Sequence, residues 1–356
     1  MKRILLVGYG LVGRVHAEII DRSSSAQLCS VLVPNKDLKK YKGAKHFKLM
    51  AVGDLEEVMA RVRPDGVIIS SPTAFHAKQI LTCISSDMPV LVEKPAVTSS
   101  RQFHDQLDAA GVSDIDRIRC MVGHHRVYGE VFRKAKKILS SGQLGEIISV
   151  AGVTHWYKPD AYFQEAKWRT DKEHLGGVLG INLIHEIATL IKLLGPIDEV
   201  AAFGKKNRGY SVIDTAAVSM TFANGAVGTW SVSDCVVGDR SWEHNSHENE
   251  AFPHTPHSSI FIGGKRASLD LPRLTLVHQE SEKKDWWKET IREPFDDLIQ
   301  YDPLCNQFDS FLNLIDGKNP DIVSLKDGLL YILTVECIQK ALETNNTEKV
   351  EWKKYA

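Results

Sequence analysis

"RILLVGYGLVGRVHAEIIDR", residues 3–22, runs from an apolar strand through three glycines into an amphipathic helix. Gly8, Gly10 and Gly13, with Tyr9, Leu11 and Val12 between them, form a G-x-G-x-x-G. Between a strand and a helix that spacing has a physical reading. The first glycine permits a tight turn, the second lets backbone approach a pyrophosphate, and the third lets helix and strand pack closely. The diphosphate then rests on free N–H groups at the positive end of the helix. The stretch predicts a dinucleotide site at the start of a doubly wound α/β domain.

Working outward, the alternation continues. Apolar strands are expected at 27–33, 46–52, 65–70, 89–93 and 118–123, with helices at 54–62, 76–85 and 99–110. Strands that are apolar throughout and joined by helices indicate a parallel sheet covered on both faces. From about residue 145 the pattern becomes alternating strands with Asn-Gly and Gly-Gly turns, at 145–156, 197–204, 215–234, 259–271 and 274–279. Helices at 131–142 and 181–195 interrupt them, and helices at 305–318 and 324–344 follow. The expected architecture is α/β: an N-terminal Rossmann doubly wound parallel sheet (1–122) and a C-terminal α+β domain (123–356) with a large, mostly antiparallel sheet. The last helices are expected to return toward the first domain.

A chain of 356 residues exceeds one simple core, so two domains is the natural division. Its 44 basic and 45 acidic residues nearly cancel, which argues against a nucleic-acid groove or an anionic membrane surface as partner. Six scattered cysteines without C-x-x-C fit a reducing compartment. The basic-then-apolar start resembles a secretory leader only superficially, because it carries glycines and lacks a small-residue cleavage site. No uninterrupted apolar stretch reads as a bilayer span. The expectation is a cytoplasmic protein with a small-molecule partner.

The second strand ends Val31-Leu32-Val33-Pro34-Asn35-Lys36-Asp37. An NAD site normally places an acid there for the ribose hydroxyls. Asn35 is the expected substitute, Lys36 would meet a 2′-phosphate, and Asp37 lies further along. No arginine is offered, so the reading leans to NAD and leaves NADP open.

"VLVEKPAVTSS", residues 90–100, breaks a buried-looking strand with Glu93-Lys94-Pro95. A strand-end lysine is ordinarily solvated beside its acidic neighbour. However, an alcohol that loses hydride must also lose a proton, and a lysine desolvated beside a cofactor suits that task. His185, in "INLIHEIATLI", has the plain alternative of a satisfied core histidine. His124, His125 and Arg126 end a strand, a usual ligand position in doubly wound sheets. Arg126, Lys158 and Arg169 each suit a carboxylate grip, or equally a surface charge. Residues 241–259 hold four of the 14 histidines and three glutamates, but their spacing matches no closed zinc pattern. A polar specificity or oligomer-contact loop is expected there, with no metal. "DWW" (285–287) reads as a pocket cap or a strand anchor.

Taken together, "GYGLVGRVHAE" (8–18), "ISSPTAFHAKQI" (69–80), "VEKPAVTS" (92–99), "VGHHRVYGEVFRKAKKILSSGQLGEI" (122–147), "WR" (168–169), "GGVLGINLIHEIATLIKLLG" (176–195) and "DGLLYILTVECIQKALET" (327–344) resemble the Gfo/Idh/MocA oxidoreductase family in order and spacing. The resemblance covers essentially the whole chain. It implies an NAD(P)-dependent dehydrogenase acting on a secondary hydroxyl or ketone of a polyol, sugar or cyclic diol. By the same resemblance Lys94 and His185 are catalytic, and Ser71, Pro72, Thr73, His76, Glu93 and Lys94 itself join residues 8–13 and Asn35 around the cofactor. His124, Arg126, Tyr157, Lys158, Trp168, Arg169, Asn182 and His185 fall on the substrate side. Many relatives carry an acid four residues before the helical His; here that position is Ile181, so Lys94 and His185 are expected to divide the proton work while Asn182 orients substrate. Relatives often hold a cis bond at Pro95. The stretch "HWYKPDAYF…WR…NLIHEI" resembles the dihydrodiol dehydrogenase-like branch, which leaves a carboxylated cyclic dihydrodiol as an alternative substrate. A non-catalytic NAD(P)-binding sensor and an oxidation-assisted glycoside hydrolase stay open as well. Relatives commonly bury an open sheet face between subunits, implying a homodimer or homotetramer.

Overall fold

A computed structural model describes residues 1–280, 283–295 and 302–355. The chain divides into two compact units, one of Met1–His124 with Leu304–Leu330, the other of His125–Pro303 with Tyr331–Ala356.

The first unit is built on β1 (Lys2–Val7), β2 (Ala26–Leu32), β3 (Met50–Ala51), β4 (Gly66–Ile69), β5 (Val90–Glu93) and β6 (Cys120–Gly123). Helices α1 (Leu11–Arg22), α2 (Leu55–Val62), α3 (His76–Ser85) and α4 (Ser100–Ala109) connect them. The order β3-β2-β1-β4-β5-β6, parallel throughout, is the doubly wound arrangement the sequence predicts. Ile4 to Leu6, Val67 to Ile69 and Val90 to Val92 are wholly buried, as strands covered on both faces must be. Asp54 and Ser99 cap α2 and α4 by accepting from Glu56 N and Gln102 N. Where the chain reverses its winding, β1 lies between β2 and β4, the switch point at whose carboxyl ends doubly wound sheets take their ligands.

One expected strand, 46–52, is mostly absent. Phe47–Leu49 forms a 3-10 turn and only Met50–Ala51 pairs with β2. The cause is His46, whose ring is drawn inward to Tyr9 Oη at 2.8 Å and Asp21 Oδ2 at 2.9 Å.

The second unit contains α5 (Glu130–Ser140), β7 (Ile147–His155), α6 (Asp160–Gln164), α7 (Ile184–Leu194), β8 (Ile197–Lys205), β9 (Thr215–Phe222), β10 (Val227–Ser233) and α8 (Trp242–Ser246). β11 (Ile260–Gly264), β12 (Ala267–Leu271), β13 (Thr275–His278), β14 (Ile291–Pro294) and β15 (Glu348–Lys349) complete a nine-stranded sheet of order β14-β13-β12-β11-β7-β10-β9-β8-β15. Its pairs are antiparallel except β10 with β7. The edge strands β14 and β15 were not foreseen, being too short to show alternation. α9 (Pro303–Ile315) and α10 (Leu325–Thr344) follow. Phe311 and Ile315 of α9 press on Gly66 of the first sheet, leaving room there only for glycine.

Alternate residues of β9, Ala216, Val218, Met220 and Phe222, are buried on one face. The other face leaves Ala151, Ala201, Ser219, Thr221 and Thr229 lining a shallow open depression. The segment Lys172–Leu194 is long and apolar enough to cross a bilayer, which the sequence reading did not register; 89% of its most apolar stretch is buried inside the fold.

Candidate functional site

In the first unit the glycine turn has the geometry its spacing requires. Gly8 has φ +93°, and a Cβ there would stand 2.7 Å from Ser70 O. A Cβ on Gly13 would lie 2.5 Å from Gly8 O, so helix and turn touch directly. Gly10 faces open space, with nothing within 4 Å of its missing Cβ. It precedes α1, whose N-terminus has no side-chain cap, and Leu11 and Val12 are exposed. Uncapped N–H groups beside an open glycine are what a dinucleotide diphosphate needs, and the residues present fit that group.

Several residues expected around the cofactor make internal contacts that support the turn. Tyr9 is buried and packs edge-on against Tyr41, 5.4 Å between centroids, while it bonds His46. Ser71 Oγ donates to Gln79 Oε1 at 2.6 Å. Its neighbour Ser70, not foreseen, donates to Val7 O and Gly8 O at 3.1 Å each and so braces the turn. Pro72 and Thr73 open a 3-10 turn leading into α3. Asn35 and Lys36 are exposed at the start of a 3-10 turn after β2, with Asp37 the next residue of that turn.

Lys94 is half-buried and directly follows the last residue of β5. The Lys94–Pro95 peptide is cis. Glu93 Oε1 is 2.7 Å from Nε2 of His16, a ring on α1 only 1% exposed. His76 is equally buried, with Nδ1 3.0 Å from Pro95 O and Nε2 2.7 Å from Ser71 O. Both partners are acceptors, so a neutral ring donates to one at a time. Burial pushes the ring's pKa down, and its backbone partners and the Glu93 charge oppose that shift. His124 is buried at the end of the sheet.

Apart from His124, the expected substrate-side residues belong to the second unit. A π-helical turn, Leu179–Leu183, precedes α7 and carries Ile181 and Asn182; such widened turns recur at functional sites. Lys158, only 7% exposed, donates to Asn182 Oδ1 and lies over the Trp156 and Tyr162 rings. His185 is buried, with its ring 5.5 Å edge-on from His125. Tyr157 and Trp168 are partly exposed.

Arg126 and Arg169 depart from expectation, since neither is a loose carboxylate grip. Arg126 is 2% exposed, with Nη1 2.9 Å from Glu186 Oε1 and Nη2 2.6 Å from Glu243 Oε1. Arg169 donates to Tyr162 O and, at 3.0 Å, to Glu165 Oε2, stacked on the Tyr162 ring. Burial pushes Glu186 above the ordinary carboxylate range despite Arg126, whereas Arg126 overcomes burial at Glu243 and holds it below. Glu248, whose Oε2 accepts from Trp242 Nε1 at 2.8 Å, is pushed up to about 7 by burial. The stretch 241–259 is therefore partly structural: it supplies Glu243 and Glu248 to the interior, while His247 and His254 stack at 4.6 Å. Among the described residues no three His, Cys, Asp or Glu side chains gather as a metal site would. Trp286 and Trp287 are exposed in the connection between β13 and β14, so neither anchors a strand.

Sequence reasoning missed Glu186, Glu243, Ser70, His16, His46 and Asp234. Asp234 is 1% exposed, and burial raises its pKa against the pull of Lys158 and Arg208. Most of these join partners 25 to 117 positions away, a separation that no local pattern encodes. For Glu186 the signal was present: a carboxylate on an otherwise apolar helix face requires a partner.

Comparison with known proteins agrees with this architecture. The family described as "Oxidoreductase family, NAD-binding Rossmann fold" matches residues 2–123, and "Oxidoreductase family, C-terminal alpha/beta domain" matches residues 136–351. The myo-inositol 2-dehydrogenase of Thermotoga maritima is 22% identical, covering 98% of both chains. The scyllo-inositol 2-dehydrogenase (NADP(+)) IolW of Bacillus subtilis is 25% identical over 56% of this chain and 54% of its own. The WlbA dehydrogenase of Bordetella pertussis, solved with NADH and UDP-GlcNAcA, shares the fold with a TM-score of 0.75 at 22% identity over 98% of both chains. From the glycine turn to the second sheet, the chain belongs to the Gfo/Idh/MocA family of NAD(P)-binding oxidoreductases.

Proposed function

We propose that the chain is an NAD(P)-dependent dehydrogenase moving a hydride between the nicotinamide and a carbinol carbon of a polyol or sugar, or the matching ketone. The observation that carries this reading is the half-buried Lys94 at the carboxyl end of β5, in the same parallel sheet as the open glycine turn. When bound, NAD(P) accepts or returns the hydride. N–H groups at the start of α1 receive its diphosphate. Lys94 takes the hydroxyl proton during oxidation and returns it during reduction. His185 is the proposed second proton carrier. Asn182, held by Lys158, is the proposed hydroxyl anchor, since an amide orients but does not act as a base.

Relatives named as inositol dehydrogenases support a polyol over a carboxylated cyclic diol. The geometry supports the same choice at Arg126, which already holds the buried Glu186 and the largely buried Glu243, while Arg169 pairs with the exposed Glu165. The exposed Asn35 and Lys36 leave the ribose end open to either NAD or NADP. The open face of the second sheet suits a second copy of the chain, hence a homodimer or homotetramer, and six cysteines with no disulfide among the described residues suit the cytoplasm. The test is a panel of inositols, sugars and sugar acids with NAD+ and NADP+, followed at the reduced-nicotinamide absorbance. Cofactor reduction with a neutral polyol is expected; silence across the panel despite tight NADH binding would replace the dehydrogenase with a sensor.

A further inference from the structure

Two buried histidines from different helices each grip a backbone neighbour of Lys94. His16 of α1 holds the Glu93 carboxylate at 2.7 Å, and His76 of α3 holds Pro95 O at 3.0 Å. Both rings are 1% exposed. A residue fixed on both sides by groups that cannot rotate away has little freedom left in its own backbone. The fit around Glu93 is tight as well. Gly123 lies beside it on β6, and a Cβ there would come within 3.0 Å of the Glu93 carboxylate. Glycine at that position makes room for Glu93 to turn inward toward His16 rather than outward to solvent.

We propose that His16 and His76 are positioning residues: a two-sided brace that aims Lys94 and ties it to the dinucleotide loop. His16 lies on the helix whose uncapped first turn would receive the diphosphate, so the Glu93 contact links that helix to Lys94. The second nitrogen of His76 reaches Ser71 O at 2.7 Å, next to Ser70, which braces Gly8. His16 therefore ties Lys94 to the helix end of the glycine turn, while the His76 ring sits between Pro95 O and Ser71 O near the other end and donates to one of them at a time. The contacts themselves are independent of any substrate, while their catalytic meaning rests on the dehydrogenase reading above.

The test measures the Lys94 amine directly. Full-length protein is pulse-labelled with an amine-acylating reagent, and acylation of the Lys94 peptide is read by mass spectrometry against Lys78 as internal reference. In His16→Ala, Glu93→Ala and His76→Ala the amine is released toward solvent, and its relative labelling rises on the order of tenfold. Glu93→Gln keeps an oxygen for the His16 ring and restores most of the protection, which a loss of general stability would not do. NADH fluorescence titration and circular dichroism identify the variants that remain folded, and Glu93→Gln against His16→Ala carries the comparison where Glu93→Ala does not fold. Unchanged or slower labelling of Lys94 in folded variants would overturn the brace. A wild-type protein that fails to bind NADH would refute the cofactor reading instead, and leaves the labelling result intact.

Discussion

The glycine turn of the first unit and the Arg126 cluster of the second are built by opposite means. In the turn, function comes from what is missing: Gly8, Gly10 and Gly13 remove side chains so that backbone meets backbone, or meets nothing. In the cluster, one guanidinium is surrounded by the carboxylates of Glu186 and Glu243 and lies 5.8 Å from the Trp242 ring, wholly out of water. Each carboxylate compensates a charge that burial would otherwise make costly. The difference teaches where each region is fragile. At Gly10 the cradle has room for a methyl in the fold but not beside its ligand, whereas the ionic core has no such room in the fold.

Substitution in the cluster sharpens this contrast most. Arg126→Ala leaves two buried carboxylates without their cation and is expected to cost about 3–5 kcal/mol in equilibrium denaturation. Removing all three charges together, as in Arg126→Met with Glu186→Gln and Glu243→Gln, recovers part of that loss. An Arg126→Ala protein as stable as wild type would mean that the cluster is solvated.

Gly10→Ala is the smallest expected effect on the fold and breaks the comparison from the other side. Gly10 has φ −75° and ψ −159°, extended backbone open to any residue, and its Cβ would meet no atom. Stability should change by no more than about 0.5 kcal/mol. NADH affinity should nevertheless fall by about tenfold or more, equal to about 1.4 kcal/mol, because the methyl fills the space where the diphosphate approaches. Unchanged affinity would place the diphosphate elsewhere.

The same contrast explains what the sequence reveals. The Gly8 to Gly13 turn, the alternation of strands and helices, and the Asp54 cap are local, and neighbouring residues suffice to specify them. The place of Lys94 directly after β5 was legible because it breaks an apolar strand. The roles of Arg126, Tyr9 and His76 were not, because each is decided by partners distant in the chain: Glu243, His46 and Pro95. A charged or ring residue near a strand end looks the same whether it faces a ligand or an interior carboxylate. The strand expected at 46–52 failed for a related reason, since apolar spacing says nothing of a histidine recruited to Tyr9.

The central claim is that Lys94 carries the proton while the glycine turn carries the cofactor. It is tested most directly by Lys94→Ala, assayed by NADH titration and by turnover of whichever polyol the wild-type protein oxidises. NADH should bind within about threefold of wild type, a difference under 1 kcal/mol, while kcat falls by about 10²- to 10⁴-fold. A Lys94→Ala protein that binds NADH and turns over at the wild-type rate would contradict the account.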